Sequence, residues 1–432
     1  MAANISSNSE KMDSALTTES NRQQAIAKYM RVRQQSETLC APLLTEDYQV
    51  QSIVQTSPPK WHLAHMSWLF ETFVLPRFNP GYQPFDARFD FLFNSYYYTH
   101  GQMFPRTQRG LLARPGVEEI YRYRAHVDEH MQHLIDSVDE AHWPEFQFYL
   151  ELGLNHEQQH QELLLMDIKH NFFVNPLKPV YRSNLAVAEV TTPRPSRWLE
   201  RSAGRYMIGS DQQGFCYDNE TPRHDILMQD HRLADRFITN AEYLDFIEDG
   251  GYRNPALWLA DGWALIQREN WSHPLYWQSE DGDWQEFSLA GLRKLDPIQP
   301  VCHISYYEAD AYARWAGKRL PLESELESLQ AEQPLQGNFR DNDILHPAPA
   351  AENGQWVGDL WAWTASPYTA YPGFKPLQGS IGEYNGKFMS NQIVLKGGCC
   401  ATPREHMRAS YRNFFYPDER WAFTGLRLAD DG

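Results

Sequence analysis

The chain has 432 residues, enough for two domains, with 42% hydrophobic and 22% charged positions, an ordinary globular mix. Its 39 Lys and Arg face 56 Asp and Glu, a formal charge of -17 that repels phosphate backbones and excludes nucleic acid as an expected partner. No stretch approaches the roughly 20 apolar residues of a membrane helix, so no membrane partner is expected, and five scattered cysteines read as reduced thiols in a cytoplasmic protein.

In chain order, residues 1–24 are polar and rich in Ser and Asn, and read as a disordered tail. Residues 25–175 hold four predicted helices near 22–40, 58–77, 117–138 and 144–173, the composition of an antiparallel bundle. Pro58, Pro59 and Pro144 mark starts, where a missing N–H is harmless, and Pro176 marks a stop. About 38 residues, Phe78 to Pro115, connect the second and third helices. Connections of that length in compact domains are usually functional. This one carries Tyr96, Tyr97 and Tyr98, then Arg106 and Arg109. Residues 176–197, with four prolines, read as a linker. The remainder, 198–432, is rich in glycine and tryptophan, as expected of short strands, turns and irregular structure.

Asn155-His-Glu-Gln-Gln-His160 places two imidazoles at i and i+4 on one helical face, where both can reach one ion. Trp61-His-Leu-Ala-His65 on the second helix offers a third ligand, with His62 or His65 sufficient. Adjacent helices commonly complete metal sites in bundles. Three neutral imidazoles suit Zn, Fe, Cu or Ni. The literal HExxH also admits a zinc hydrolase with Glu157 as general base. Against it, the extended zinc-protease pattern needs Gly and His where Leu163 and Met166 stand.

Pro59-Lys-Trp-His-Leu-Ala-His65, the tyrosine loop, the His156–His160 helix and Tyr411-Arg-Asn-Phe-Phe415 together resemble the iron-dependent sulfoxide synthases of ergothioneine biosynthesis, over roughly residues 25 to 430. Gly204-Arg-Tyr-Met-Ile-Gly209, Glu220-Thr-Pro-Arg-His224, Gly358-Asp-Leu-Trp-Ala-Trp-Thr364 and Gly425-Leu-Arg-Leu428 look like formylglycine-generating enzyme. The resemblance implies an α+β chain: a DinB-like four-helix bundle followed by a formylglycine-generating-enzyme-like domain, a variant of the C-type lectin fold. It implies Fe(II) held by His65, His156 and His160, with O2 as co-substrate. The implied substrates are hercynine and a thiol, either cysteine or γ-glutamylcysteine, joined by a new C–S bond. It further implies Tyr96 and Tyr97 as proton donors and Gln159 and Asn413 as holders of hercynine.

Arg106 and Arg109 could clamp the thiol substrate's carboxylate, as bidentate donors do. Phe414 and Phe415 stand where a γ-glutamylcysteine-using branch carries an acidic residue, which leaves the thiol open. Selenoneine synthases, relatives that take a seleno-sugar, remain an alternative. Formylglycine-generating enzyme needs a spaced cysteine pair in its last segment. Here Thr402 stands at about the first of those positions and Cys399 and Cys400 are adjacent, so that copper-thiol chemistry is not expected.

Overall fold

The computed structural model describes residues 3–188 and 194–431, with the side chains of 3–18 outside the description. The chain divides into two compact units that meet inside one helix, the first ending at Gln161 and the second beginning at Glu162.

The first unit is helical: α1 (Ala3–Cys40), α2 (Pro59–Phe73), α3 (Leu75–Phe78), α4 (Phe89–Phe93), α5 (Val117–Ser137) and the first half of α6 (Trp143–Val174). No glycine or proline interrupts residues 1–40, and α1 starts about twenty residues before the predicted start at 22. The tail expected over 1–24 falls largely on positions whose side chains lie outside the described residues. Within it, Arg22 is anchored, its guanidinium donating to the carbonyls of Ile135, Asp136 and Val138.

The helix predicted over 58–77 breaks at Val74. Pro76 lacks the N–H that would continue the ladder, and its ring crowds the preceding turn. Along α2 almost every residue is buried, as in a helix packed on all sides. On α5 the buried positions Ile120, Tyr123, Val127, Met131 and Leu134 recur at helical spacing. At Gly153 of α6 an added Cβ would stand 2.3 Å from Cε1 of Phe70, so glycine lets α6 approach α2. Between α3 and α5 the long connection contains α4 and a 3-10 turn, Arg106–Leu111.

The second unit contains the end of α6, then β1 (Trp198–Arg201), β2 (Gly204–Ile208), β3 (His224–Met228), β4 (His231–Ala234), α7 (Asn240–Glu248) and α8 (Ala260–Glu269). There follow β5 (Trp277–Glu280), β6 (Asp283–Ser288), β7 (Gly291–Lys294), α9 (Tyr306–Trp315) and α10 (Glu323–Gln330). The chain closes with β8 (Trp361–Pro367), β9 (Ile393–Lys396), β10 (Asn413–Phe415), β11 (Thr424–Gly425) and β12 (Ala429–Asp430).

These strands form small sheets: β1-β4-β12, β2-β3, β5-β6-β7 and a four-stranded β10-β9-β8-β11 whose β8–β11 pair is parallel. Short strands between capped helices match the predicted irregular β structure. Ser305 and Glu308 close a reciprocal capping box on α9, as do Thr239 and Glu242 on α7.

The 176–197 stretch is fastened to this unit where it is described. Tyr181 and Arg182 donate their N–H groups to Leu289 O, and Ala186 donates to Asp343 O; residues 189–193 of that linker lie outside the described residues. The last turns of α6 are likewise built into the second unit. Glu162 accepts from Trp361 Nε1 (2.7 Å) and Thr402 Oγ1 (2.5 Å), and Asp167 accepts from Trp421 Nε1 (3.0 Å).

Candidate metal centre

His65, His156 and His160 come together in the first unit, one ligand nitrogen of each within 4.8 Å of the others. Three nitrogens bound to one ion at about 2.1 Å lie no more than about 3.6 Å from one another, so an ion would draw the three rings inward to close the site. The ring centroids are 4.5–4.9 Å apart. The i, i+4 spacing on α6 supplies the pair, and α2 supplies the third ring.

His65 carries the fit test. Its Nδ1 lies 2.6 Å from the carbonyl of Phe93, which can only accept, so the proton belongs on Nδ1. Its Nε2 is then a lone pair, fully buried and without a hydrogen-bond partner among the described residues. A buried acceptor without a donor costs about 1–3 kcal/mol. A metal ion removes that cost, and a backbone carbonyl behind the ring is the usual support for a ligating imidazole.

Burial lowers the affinity of all three rings for protons, with neighbouring histidines adding to the effect on His65 and His160. His156 falls to about 3. Neutral imidazoles are the ligating form.

The long connection builds one wall. Trp61, His65 and Trp68, spaced i, i+4, i+7 on α2, all reach α4. Trp61 Nε1 donates to Leu92 O (3.2 Å), His65 to Phe93 O, and Trp68 Nε1 to Asp90 (2.9 Å). The His65 ring lies between the two indoles, stacked 4.6 Å from Trp61 and 5.4 Å from Trp68 at 16° to each. Beyond Trp61 the Arg109 guanidinium lies 3.4 Å from the ring centroid and donates to Ser57 Oγ. This column was not anticipated from sequence, although the i, i+4, i+7 spacing of two tryptophans about a histidine was its signal.

Tyr97 is fully buried against Trp68 and Phe73 and stacked on half-buried Tyr96, 4.7 Å between centroids. Asn94 holds that turn by accepting from Tyr97 N and donating to Tyr97 O. Tyr98 is exposed. Arg109 is buried, whereas Arg106 is exposed and donates to the Gln55 carbonyl. Gln159 is half-buried beside His160. In the second unit, Asn413, Phe414 and Phe415 lie on β10, all half-buried. Asn413 Oδ1 accepts from Phe414 N, Phe414 stacks on Tyr368 at 4.0 Å, and Phe415 packs on Trp421.

Glu157 decides against the zinc-hydrolase alternative. One step from His156, it points to a different side of the helix. Its carboxylate is fully buried between Arg33 (2.9 Å) and Arg124 (3.1 Å) and accepts from Ser36 Oγ at 2.6 Å. Although burial alone would raise its pKa, the two guanidiniums and Ser36 hold it below the usual carboxylate value. A carboxylate so engaged is no general base for a water.

In the second unit Thr402 donates to Glu162 and accepts from Cys399 N (2.8 Å), and Cys399 and Cys400 are buried free thiols.

Comparison with known proteins gives two domain families. The DinB superfamily matches residues 28–164, and the sulfatase-modifying factor enzyme 1-like domain matches 194–333 and 352–432. The chain is therefore a DinB-like helical region followed by a formylglycine-generating-enzyme-like domain, in an α+β class. It is 30% identical over 409 residues to the hercynine oxygenase of Mycolicibacterium thermoresistibile, covering 87% of each chain. It is 30% identical over 312 residues to that of Mycobacterium tuberculosis, covering 66% of this chain and 72% of the relative. The formylglycine-generating enzyme of Bos taurus is 24% identical over 285 residues, 55% of this chain and 75% of that one.

Proposed function

The chain belongs to the hercynine oxygenase family, and from that premise we propose that it is a non-heme iron(II), O2-dependent sulfoxide synthase of ergothioneine biosynthesis. It would join hercynine to cysteine or γ-glutamylcysteine through a C–S bond. The observation that carries this reading is the trio of buried His65 and His156 with half-buried His160, with His65 Nε2 presented as a lone pair. When bound, iron would supply the redox chemistry with O2 and open coordination positions for the thiolate and the substrate imidazole.

The chain's own residues would do the rest. Three neutral rings add no negative charge, which leaves a cation's charge available to an anionic thiolate. Trp61 and Trp68 hold the His65 plane from both faces and keep water from it. Arg109, buried beside Trp61, would pair with the carboxylate of the thiol substrate, and Arg106, further out, would assist. Gln159, a neutral amide next to His160, would hydrogen-bond hercynine without competing for the metal. Asn413 is assigned to hercynine, and Phe414 and Phe415 to the side of the thiol substrate, on the family resemblance alone. Tyr97, supported by Tyr96, would hold a proton at its phenol oxygen for the reacting oxygen species. The free cysteines suit a reducing compartment such as the cytoplasm. No helix among the described residues is long and apolar enough to cross a membrane.

The test is anaerobic loading with Fe(II), then O2 with hercynine and each candidate donor in turn: cysteine, γ-glutamylcysteine and a seleno-sugar. A hercynine–sulfur sulfoxide detected by mass, with O2 consumed, is the expected outcome. Turnover with the seleno-sugar alone would instead make the protein a selenoneine synthase. Neither adduct with any donor would sink the reading.

A further inference from the structure

His62 is the histidine of the Trp61–His65 segment that the metal trio leaves unused. Resting on the metal reading above, we propose that His62 is a positioning residue that sets the tautomer and orientation of the ligand His160.

Nδ1 of buried His62 lies 2.9 Å from Nδ1 of His160, the rings 5.2 Å apart and tilted by 58°. Two ring nitrogens at that distance share one proton, so one donates and the other accepts. If His62 donates, a neutral His160 carries its own proton on Nε2 and cannot ligate there. If His160 donates, its Nε2 carries the lone pair with which it can ligate. An ion at the trio selects the second arrangement, in which His62 is the acceptor and keeps its own proton on Nε2.

His65 has a parallel device, since its Nδ1 proton goes to the Phe93 carbonyl. The two supports differ in kind. A carbonyl is always an acceptor, whereas His62 accepts only in one tautomer. His62 and His65 are three residues apart, so one face of α2 presents a ligand and, a turn earlier, the support of a ligand from α6. The recurrence of two histidines in that short segment therefore has a single chemical explanation.

The experiment titrates the full chain with Co(II) under nitrogen, reading the visible d–d absorption and the dissociation constant, with circular dichroism as the fold control. His62→Leu removes the acceptor, and His62→Gln offers an amide oxygen in its place. We expect His62→Leu to bind about 10–100-fold more weakly, the usual loss when a ligand's support is removed, with a shifted d–d band. His62→Gln should recover most of the affinity. Unchanged affinity and spectrum in His62→Leu, or equal loss in both variants, overturns the proposal and leaves the metal reading intact. Unchanged Co(II) binding in His160→Ala overturns the metal reading itself. If His62→Leu does not fold, 15N-histidine spectra of the unmutated, Zn(II)-loaded chain decide. A His160 proton on Nδ1 is expected, and one on Nε2 overturns the assignment.

Discussion

His160 has two tasks, one for each ring nitrogen, and its removal separates metal binding from folding. His160→Ala should lose iron, measured by metal analysis after Fe(II) loading, while the far-ultraviolet spectrum stays unchanged, because two imidazoles hold an ion poorly. Tyr97 poses a different question, since its ring is buried against Trp68 and Phe73. Tyr97→Phe keeps that packing and removes only the hydroxyl. It should leave substrate binding intact but divert O2 to the thiol alone, giving a sulfinic acid in place of the C–S product. Both products should be measured at equal O2 consumption, in Tyr97→Phe, Tyr96→Phe and the double variant. Wild-type product ratios in all three would reduce these tyrosines to packing. At this scale the pairing of His156 and His160 was legible because helical periodicity brings both to one face, whereas the choice of His65 over His62 beside them needed the fold. The partners of Glu157 were not, because Arg33 and Arg124 lie 124 and 33 positions away and only the folded bundle unites them.

At the scale of elements, α6 is held close to α2 by a glycine and tied to α1 and α5 by a buried ionic cluster. Alanine ordinarily improves a helix interior by roughly 0.5–1 kcal/mol over glycine. Gly153→Ala should reverse that sign, because its methyl would meet the Phe70 ring at 2.3 Å. A net loss of about 1–3 kcal/mol in urea unfolding is expected, and Phe70→Leu in the same chain should relieve part of it. Glu157→Ala removes the buried carboxylate shared by Arg33 and Arg124, leaving them only the more peripheral Asp128 and Glu37 as charged partners, and should cost up to about 3–5 kcal/mol. The helices themselves were legible from proline punctuation and apolar spacing. The break at Val74 was missed because the apolar pattern runs straight through Pro76. The docking of α4 was missed because a five-residue helix has too few turns to leave a periodic trace. The division of α6 between two units was hidden for a related reason. Its composition stays helical while its partners change, from Arg33 at Glu157 to Trp361 at Glu162.

For the whole molecule, acid should be destabilising. His170 and His346, both in the second unit, are each pushed down to about 4, chiefly by burial. Unfolded, both would titrate near 6.5. Between about pH 6.5 and 4 the unfolded chain therefore binds more protons, and stability falls as pH falls, by up to about 1.4 kcal/mol per unit for each ring. Buried His303 and His406 act in the same direction. Asp359, pushed up to about 6 by burial, opposes them over part of this range, as does Glu162, pushed up to about 7. The histidines outnumber these two acids, so the thermal midpoint should drop as pH is lowered from 7 to 5. A rising midpoint would show that the acids dominate.

Ligands 91 positions apart, His65 and His156, would be tied by a single ion. Such an ion acts as a reversible staple between distant parts of the chain. At a free concentration one hundred times its dissociation constant it would add about 2.7 kcal/mol to the folded state. Resistance to protease should then track the iron supply, with the loaded protein outlasting the metal-free form. In a cell starved of iron the enzyme would be short-lived as well as idle, and its abundance would become a gauge of the metal it uses.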